Sequence, residues 1–128
     1  MEPQVLIIPG ELPGLNEIIG ANRTNRFQGA KQKKEADRLI CLSAAAQHIR
    51  PVASADFVFR WYCKNRRKDK DNISSAKKFI FDGLIKAGVL KNDGWTEIGD
   101  FRDEFYIDKE SPRVEVTINA EEELAEKD

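Results

Sequence analysis

Apolar residues recur along this chain with two different periods, and the switches between them mark the expected elements. Val5 to Ile8 is a short apolar run that stops at Pro9-Gly10, which predicts a strand. Glu11 to Gln28 carries Pro13, Gly14, Gly20 and several asparagines, and reads as a long, partly irregular connection. From Lys31 to Ile49 the period lengthens. Ala36, Leu39, Leu42, Ala46 and Ile49 fall at steps of three and four, a helix that Pro51 stops. Between Ala55 and Cys63 alternation sets Phe57, Phe59, Trp61 and Cys63 on one face of a strand. Helical spacing returns with Ile73, Ala76, Ile80, Leu84 and Ala87, where Asp71 or Asn72 is the expected N-cap and Gly88 the C′ residue. Lys91-Asn92-Asp93-Gly94 is a turn. Two strands follow, Trp95–Ile107 (irregular in its first half) and Arg113–Ile118, with Lys109-Glu110-Ser111-Pro112 turning between them.

The order β-α-β-α-β-β predicts an α+β fold: one domain, a mixed β-sheet with two main helices on a face. The domain is expected over residues 1–119, followed by an acidic C-terminal tail over 120–128, frayed or helical. A length of 128 residues suits one domain, and 41% hydrophobic with 34% charged residues describes a globular chain. No apolar run approaches the roughly 20 residues that span a bilayer. Met1-Glu2-Pro3-Gln4 lacks the basic and apolar start of a signal peptide. The expected location is therefore cytoplasmic, with no membrane partner. Cys41 and Cys63 lie in separate apolar contexts without metal-ligand spacing, and are expected to be buried free thiols.

The formal net charge of −1 argues against nucleic acid until its distribution is considered. The segment 120–128 holds five acids and one base, so the remainder is positive. The excess concentrates between Arg60 and Lys91, with ten bases against three acids. A local basic stripe is the footprint expected for phosphate binding, although lysines and arginines also populate any solvated surface.

The candidate chemistry lies inside that stripe. Asp69 and Asp71 are two residues apart, and in extended backbone such residues project to the same side. Two carboxylates aimed at one point repel unless a cation or a proton joins them. Hard oxygen donors suit Mg²⁺ or Mn²⁺, and the bases Arg66, Arg67, Lys68, Lys70 and Lys77 would hold a phosphate beside the ion, with Arg23 and Arg26 adding to the DNA-binding surface. The same Asp69-Lys70-Asp71-Asn72 stretch is also good turn and helix-cap material. An EF-hand is excluded, because counting from Asp69 the positions that need glycine and glutamate hold Ser74 and Ile80. No Gly-rich phosphate loop and no Ser/His/Asp set accompanies it. His48 is expected on the surface or at a cap. Lys78, Asp82 and Lys86 follow i, i+4 spacing and suit a salt-bridged helix face. Trp61 and Trp95 are expected in the core or an interface, with base stacking as the alternative.

Asp69-Lys70-Asp71-Asn72, then Lys78, Asp82-Gly83-Leu84, Gly88 and Asp93, resembles the pattern of the RusA family of Holliday junction resolvases, common in phages and prophages. Leu12-Pro13-Gly14-Leu15-Asn16 resembles the stretch after that family's first strand. The resemblance implies a homodimeric, Mg²⁺-dependent endodeoxyribonuclease that binds branched DNA. It would resolve four-way junctions by paired symmetric nicks, in DNA recombination and repair. It further implies that Asp69, Asp71 and Asp93 hold the metal and that Lys78, or its neighbour Lys77, is the catalytic lysine. The sequence departs from the pattern at Asn92, where the family has a second acid, and in a D-x-D-N to D-x-L gap about three residues longer. Three residues are close to one helical turn, so a lysine displaced by them returns to nearly the same face. Two other readings follow from the residues: a catalytically inactive branched-DNA-binding protein, which Asn92 favours, and an interaction protein whose charge serves solubility.

Overall fold

A computed structural model describes residues 2–14, 17, 19–20, 23 and 26–123. The elements are β1 (Gln4–Pro9), α1 (Arg26–Ala46), β2 (Val52–Cys63), α2 (Lys70–Ser74), α3 (Lys77–Lys86), β3 (Ile98–Ile107) and β4 (Arg113–Glu123). The four strands form one mixed sheet in the order β1-β4-β2-β3. β4 pairs antiparallel with both β1 and β2, and β3 runs parallel to β2. This is the expected α+β domain, with α1, α2 and α3 between the strands in sequence.

The alternation in β2 does what its period requires. Phe57, Phe59, Trp61 and Cys63 are all buried, with Phe57–Phe59 and Phe59–Trp61 ring centroids 6.0 and 5.9 Å apart. Phe81 of α3 meets Phe57 and Phe59 edge-on, 5.2 and 5.6 Å away. Leu6, Ile8, Val114, Val116 and Ile118 extend the core across β1 and β4. Truncating Phe59 to alanine would cost about 3–5 kcal/mol. Helices α1 and α3 approach closely because Gly83 has no side chain: a Cβ there would sit 2.7 Å from Ile40. Two ion pairs, Lys33–Asp82 at 3.3 Å and Lys86–Asp37 at 2.6 Å, flank that contact. Lys86 therefore reaches across to α1 rather than back to Asp82.

Both long helices end in the same way. At α3, Val89 N–H donates to Leu84 C=O at 2.9 Å and Gly88 N–H to Ile85 C=O at 3.0 Å, with Gly88 at φ 78°, so Gly88 is the C′ residue its sequence position predicts. At α1 the equivalent residue is His48, exposed at φ 54°. The only histidine is thus a cap, as expected.

Four boundaries differ from the sequence reading. Within the expected irregular connection, Glu17, Ile19, Gly20 and Arg23 are helical, and α1 begins at Arg26. The single helix expected from Ile73 to Ala87 is two helices. The Ser75 hydroxyl donates to Asn72 C=O, while Ala76 N–H turns to Ile73 C=O at 3.2 Å. A serine back-bond of this kind competes with the helical ladder. The strand expected from Trp95 begins at Ile98, and the expected turn at Lys109–Pro112 leads from it to β4 on the far side of β2. Finally β4 continues as strand to Glu123, through the first residues of the expected tail, and Leu124–Asp128 lie outside the described residues.

Candidate active site

Asp69 is the N-cap of α2, correcting the expectation of Asp71 or Asn72. Its backbone is extended and its carbonyl accepts Ile73 N–H at 3.0 Å, yet its carboxylate makes no capping bond. Asp71 lies in the first helical turn, where Oδ1 accepts Asn72 N–H at 3.0 Å. The two acids are both exposed, but one is extended and the other helical, so the argument that extended backbone aims both to one side does not hold. Asn72 packs against the loop before α1: a Cβ on Gly14 would lie 2.6 Å from its Oδ1. That contact joins the D-x-D-N stretch to Leu12-Pro13-Gly14; Leu15 and Asn16 lie outside the described residues.

Asp69 stands on the wall of an open cleft of about 650 Å³, together with Arg66, Lys68, Lys70, Phe105 and Tyr106. Lys70 extends over the Phe105 ring, 5.4 Å from its centroid, and Lys68 pairs with Glu17. Arg66, Arg67 and Arg23 are exposed. The side chain of Arg26 lies outside the described residues. A strip of cations beside an uncapped carboxylate is an arrangement that binds phosphate and leaves an acid next to it.

The neighbouring lysines Lys77 and Lys78 point to different places. Lys78 Nζ donates to Asp93 Oδ2 at 2.8 Å and lies 3.2 Å from Asp82 Oδ1. The ammonium holds the Asp93 carboxyl below its ordinary range, and the bonds to Asp93 and then Asp82 raise Lys78 in return. Lys77 donates to Asp103 on β3, which also accepts Trp61 Nε1–H at 2.8 Å. Lys77 lies over the Phe101 ring at 4.7 Å and the Phe59 ring at 5.4 Å. Lys78 therefore belongs with the candidate acids and Lys77 with the sheet.

Asp103 went unread in the sequence. The signal was there, since strand alternation sets it between Phe101 and Phe105 on the face whose β2 partners are Phe57, Phe59 and Trp61. Trp61 is buried as expected, whereas Trp95 is fully exposed, which removes the core from the expected places for it and leaves an interface or base stacking. Cys41 and Cys63 are free thiols, Cys63 buried and Cys41 partly so. Burial, and then the charge of Glu11, raises the Cys63 thiol above its ordinary value of 9.0.

Residues 24–119 match the profile of the family Endodeoxyribonuclease RusA. The chain belongs to the RusA family. Its RusA region runs from just before α1 into β4, so it contains both lysines, all three candidate acids and the cleft. Membership makes the chain an endodeoxyribonuclease. No curated protein matches it individually. Among the described residues no helix is long and apolar enough to cross a membrane.

The fit of a divalent cation is tested by the donors. Asp69 and Asp71 offer exposed carboxylate oxygens, hard donors of the kind Mg²⁺ takes. Asp93 is bound to Lys78 instead, and among the described residues no three acidic, histidine or cysteine side chains already converge on one point. The donor chemistry of Asp69 and Asp71 fits a divalent cation; Asp93, the third candidate, is engaged by Lys78.

Proposed function

We propose that this RusA-family chain is a Mg²⁺-dependent resolvase that nicks four-way DNA junctions in symmetric pairs, in recombination and repair. The observation that supports it most is the position of Asp69, uncapped on the wall of a cleft whose other charged residues are Arg66, Lys68 and Lys70. Those cations bind and orient the phosphate backbone. Asp69 and Asp71, with Asp93 as third ligand, would hold the cation. When bound, Mg²⁺ supplies an activated water and charge stabilisation at the scissile phosphate. Lys78 adds positive charge beside the same phosphate as negative charge gathers on it. Mn²⁺ satisfies the same donors.

Two nicks related by symmetry require two sites related by a dyad, which a homodimer supplies. The aromatic face of β2, Phe57, Phe59 and Trp61, is in the core and so offers no contact surface. Phe101, Tyr106 and Ile107 on the edge strand β3 are exposed. The opposite edge is already occupied: the Gln47 amide donates to Ile7 C=O at 2.7 Å and accepts Ile7 N–H at 2.8 Å. We assign the dimer contact to β3.

A second reading, branched-DNA binding without cleavage, is favoured by Asn92 in place of an acid and by the Lys78–Asp93 pair. A synthetic four-way junction incubated with the protein, with and without Mg²⁺, separates the two. Paired nicks that need Mg²⁺ are expected. Tight binding without nicks under either condition would establish the second reading instead.

A further inference from the structure

Trp95 is a large apolar side chain left entirely in water, two residues after Asp93. Burying a side chain of this size removes about 150–250 Å² from solvent, and the fold makes no use of that gain here. The backbone carrying it is nevertheless fixed. Gly94 C=O accepts Ile98 N–H at 3.0 Å and Gly94 N–H donates to Glu97 Oε1 at 3.2 Å, closing one helical turn around Trp95. Glu97 C=O accepts Ala55 N–H at 3.0 Å, which ties the far side to β2, while Asp93 on the near side is held by Lys78. An indole is thus displayed on a turn anchored at both ends.

The surroundings decide what it displays itself to. Lys91, Asn92 and Thr96 are exposed, and no other apolar side chain lies between Lys91 and Glu97. An apolar protein partner would meet one ring in a polar frame, far short of the clustered anchors that protein interfaces use. A nucleobase offers a flat π-face with its own phosphate alongside, which suits one indole beside Lys91 and Lys78. Two peptide steps place the Cα of Trp95 within roughly 7 Å of that of Asp93, so a base stacked there belongs to a nucleotide at the cleavage site.

We propose that Trp95 stacks on a base face left unstacked at the branch point and so favours branched over continuous duplex DNA. A continuous duplex must be unstacked before it offers a base face, whereas the pairs bordering an open branch point already offer one at lower cost. This rests on the endonuclease reading, and the experiment separates the two. The chain has two tryptophans, and Trp61 is buried with its indole N–H bonded to Asp103, so emission that responds to DNA reports Trp95. A four-way junction, and a duplex of equal length, are titrated in metal-free buffer into the parent, Trp95→Phe and Trp95→Ala. The expected result is quenching in the parent that is larger with the junction and absent in Trp95→Phe. Anisotropy of labelled DNA should show Trp95→Ala losing about ten-fold in junction affinity and less than about two-fold for duplex. Junction binding without change in emission overturns the proposal, as does an equal loss for both DNAs. An emission shift on diluting the DNA-free parent also overturns it, by showing that a second copy covers the indole. A parent that binds no DNA at all overturns the endonuclease reading, and this inference with it.

Discussion

Lys77 and Lys78 are adjacent on one helix and have different surroundings. One residue turns an α-helix by about 100°, enough to send one side chain to the sheet and the other to the loop. The Lys77 side chain is 16% exposed and that of its partner Asp103 21%, under the aromatic rings of β2 and β3. Lys78 is 69% exposed and shared between Asp82 and Asp93. A lysine held against a half-buried acid is fixed in one place. A lysine shared by two acids at the surface is able to leave either of them for a phosphate. The comparison teaches that the catalytic candidate is the less well-held of the two.

The largest effects should fall on the two acids of the D-x-D-N stretch. Asp69→Asn and Asp71→Asn are each expected to lower junction nicking by about 1,000-fold or more, roughly 4 kcal/mol in the barrier. Metal-free gel-shift affinity should be retained or increased, because a carboxylate facing phosphate has gone. Near-parent nicking in both variants would remove the D-x-D-N stretch from the active site. Lys78→Met should come next, with nicking down about 100-fold and the melting temperature within a few degrees of the parent. Lys77→Met should reverse that pattern. It leaves Asp103 half-buried with Trp61 as its remaining donor, at a cost of about 1–3 kcal/mol in a denaturant titration. Nicking measured well below the transition should stay within a few-fold. If both variants lose activity and neither loses stability, the division between the two lysines is wrong.

Most of the sheet was legible because its strands have one buried face, and burial on one face writes itself as a period of two. The break between α2 and α3 was not, since Ile73, Ala76, Ile80 and Leu84 keep helical spacing across it and only the Ser75 hydroxyl marks the interruption. Of the candidate site, the acids of D-x-D-N could be proposed from sequence because they adjoin in it. The Lys78–Asp93 pair could not, because a loop folding back onto α3 brings together residues that no local pattern relates. Nor could spacing choose between Lys77 and Lys78. For Trp95 the sequence left core, interface and base stacking open, because residue type predicts only average burial; its full exposure removes the core.

Smaller effects sharpen the same comparison. In the metal-free protein the Asp93 carboxyl should titrate below its ordinary value of 3.8 because of the Lys78 ammonium. The sign follows from linkage: the stability this pair contributes is present above the ordinary value and is lost as pH falls through the lowered one. Carboxyl NMR should show the midpoint returning towards 3.8 in Lys78→Met and unmoved in Lys77→Met. An Asp93 midpoint indifferent to Lys78 would mean that the pair does not form in solution. Replacing Arg66 and Arg67 together by alanine should lower the log–log salt slope of junction binding by about one to two. An unchanged slope would make these arginines ordinary surface residues.

The strand order has a consequence for how the chain acquires its structure. Among the described strands no two that are joined by a tight turn are hydrogen-bonded to each other; β2 and β3, the one consecutive pair that touches, are separated by α2 and α3. β4, last of the four in sequence, is the neighbour that both β1 and β2 require. No hairpin is available to start the sheet, and loop-closure entropy must be met before any strand pairing compensates it. Refolding should accordingly be slow for a domain of this size. During synthesis, the apolar face of β2 waits on the emergence of residues 113–123 before its antiparallel partner exists.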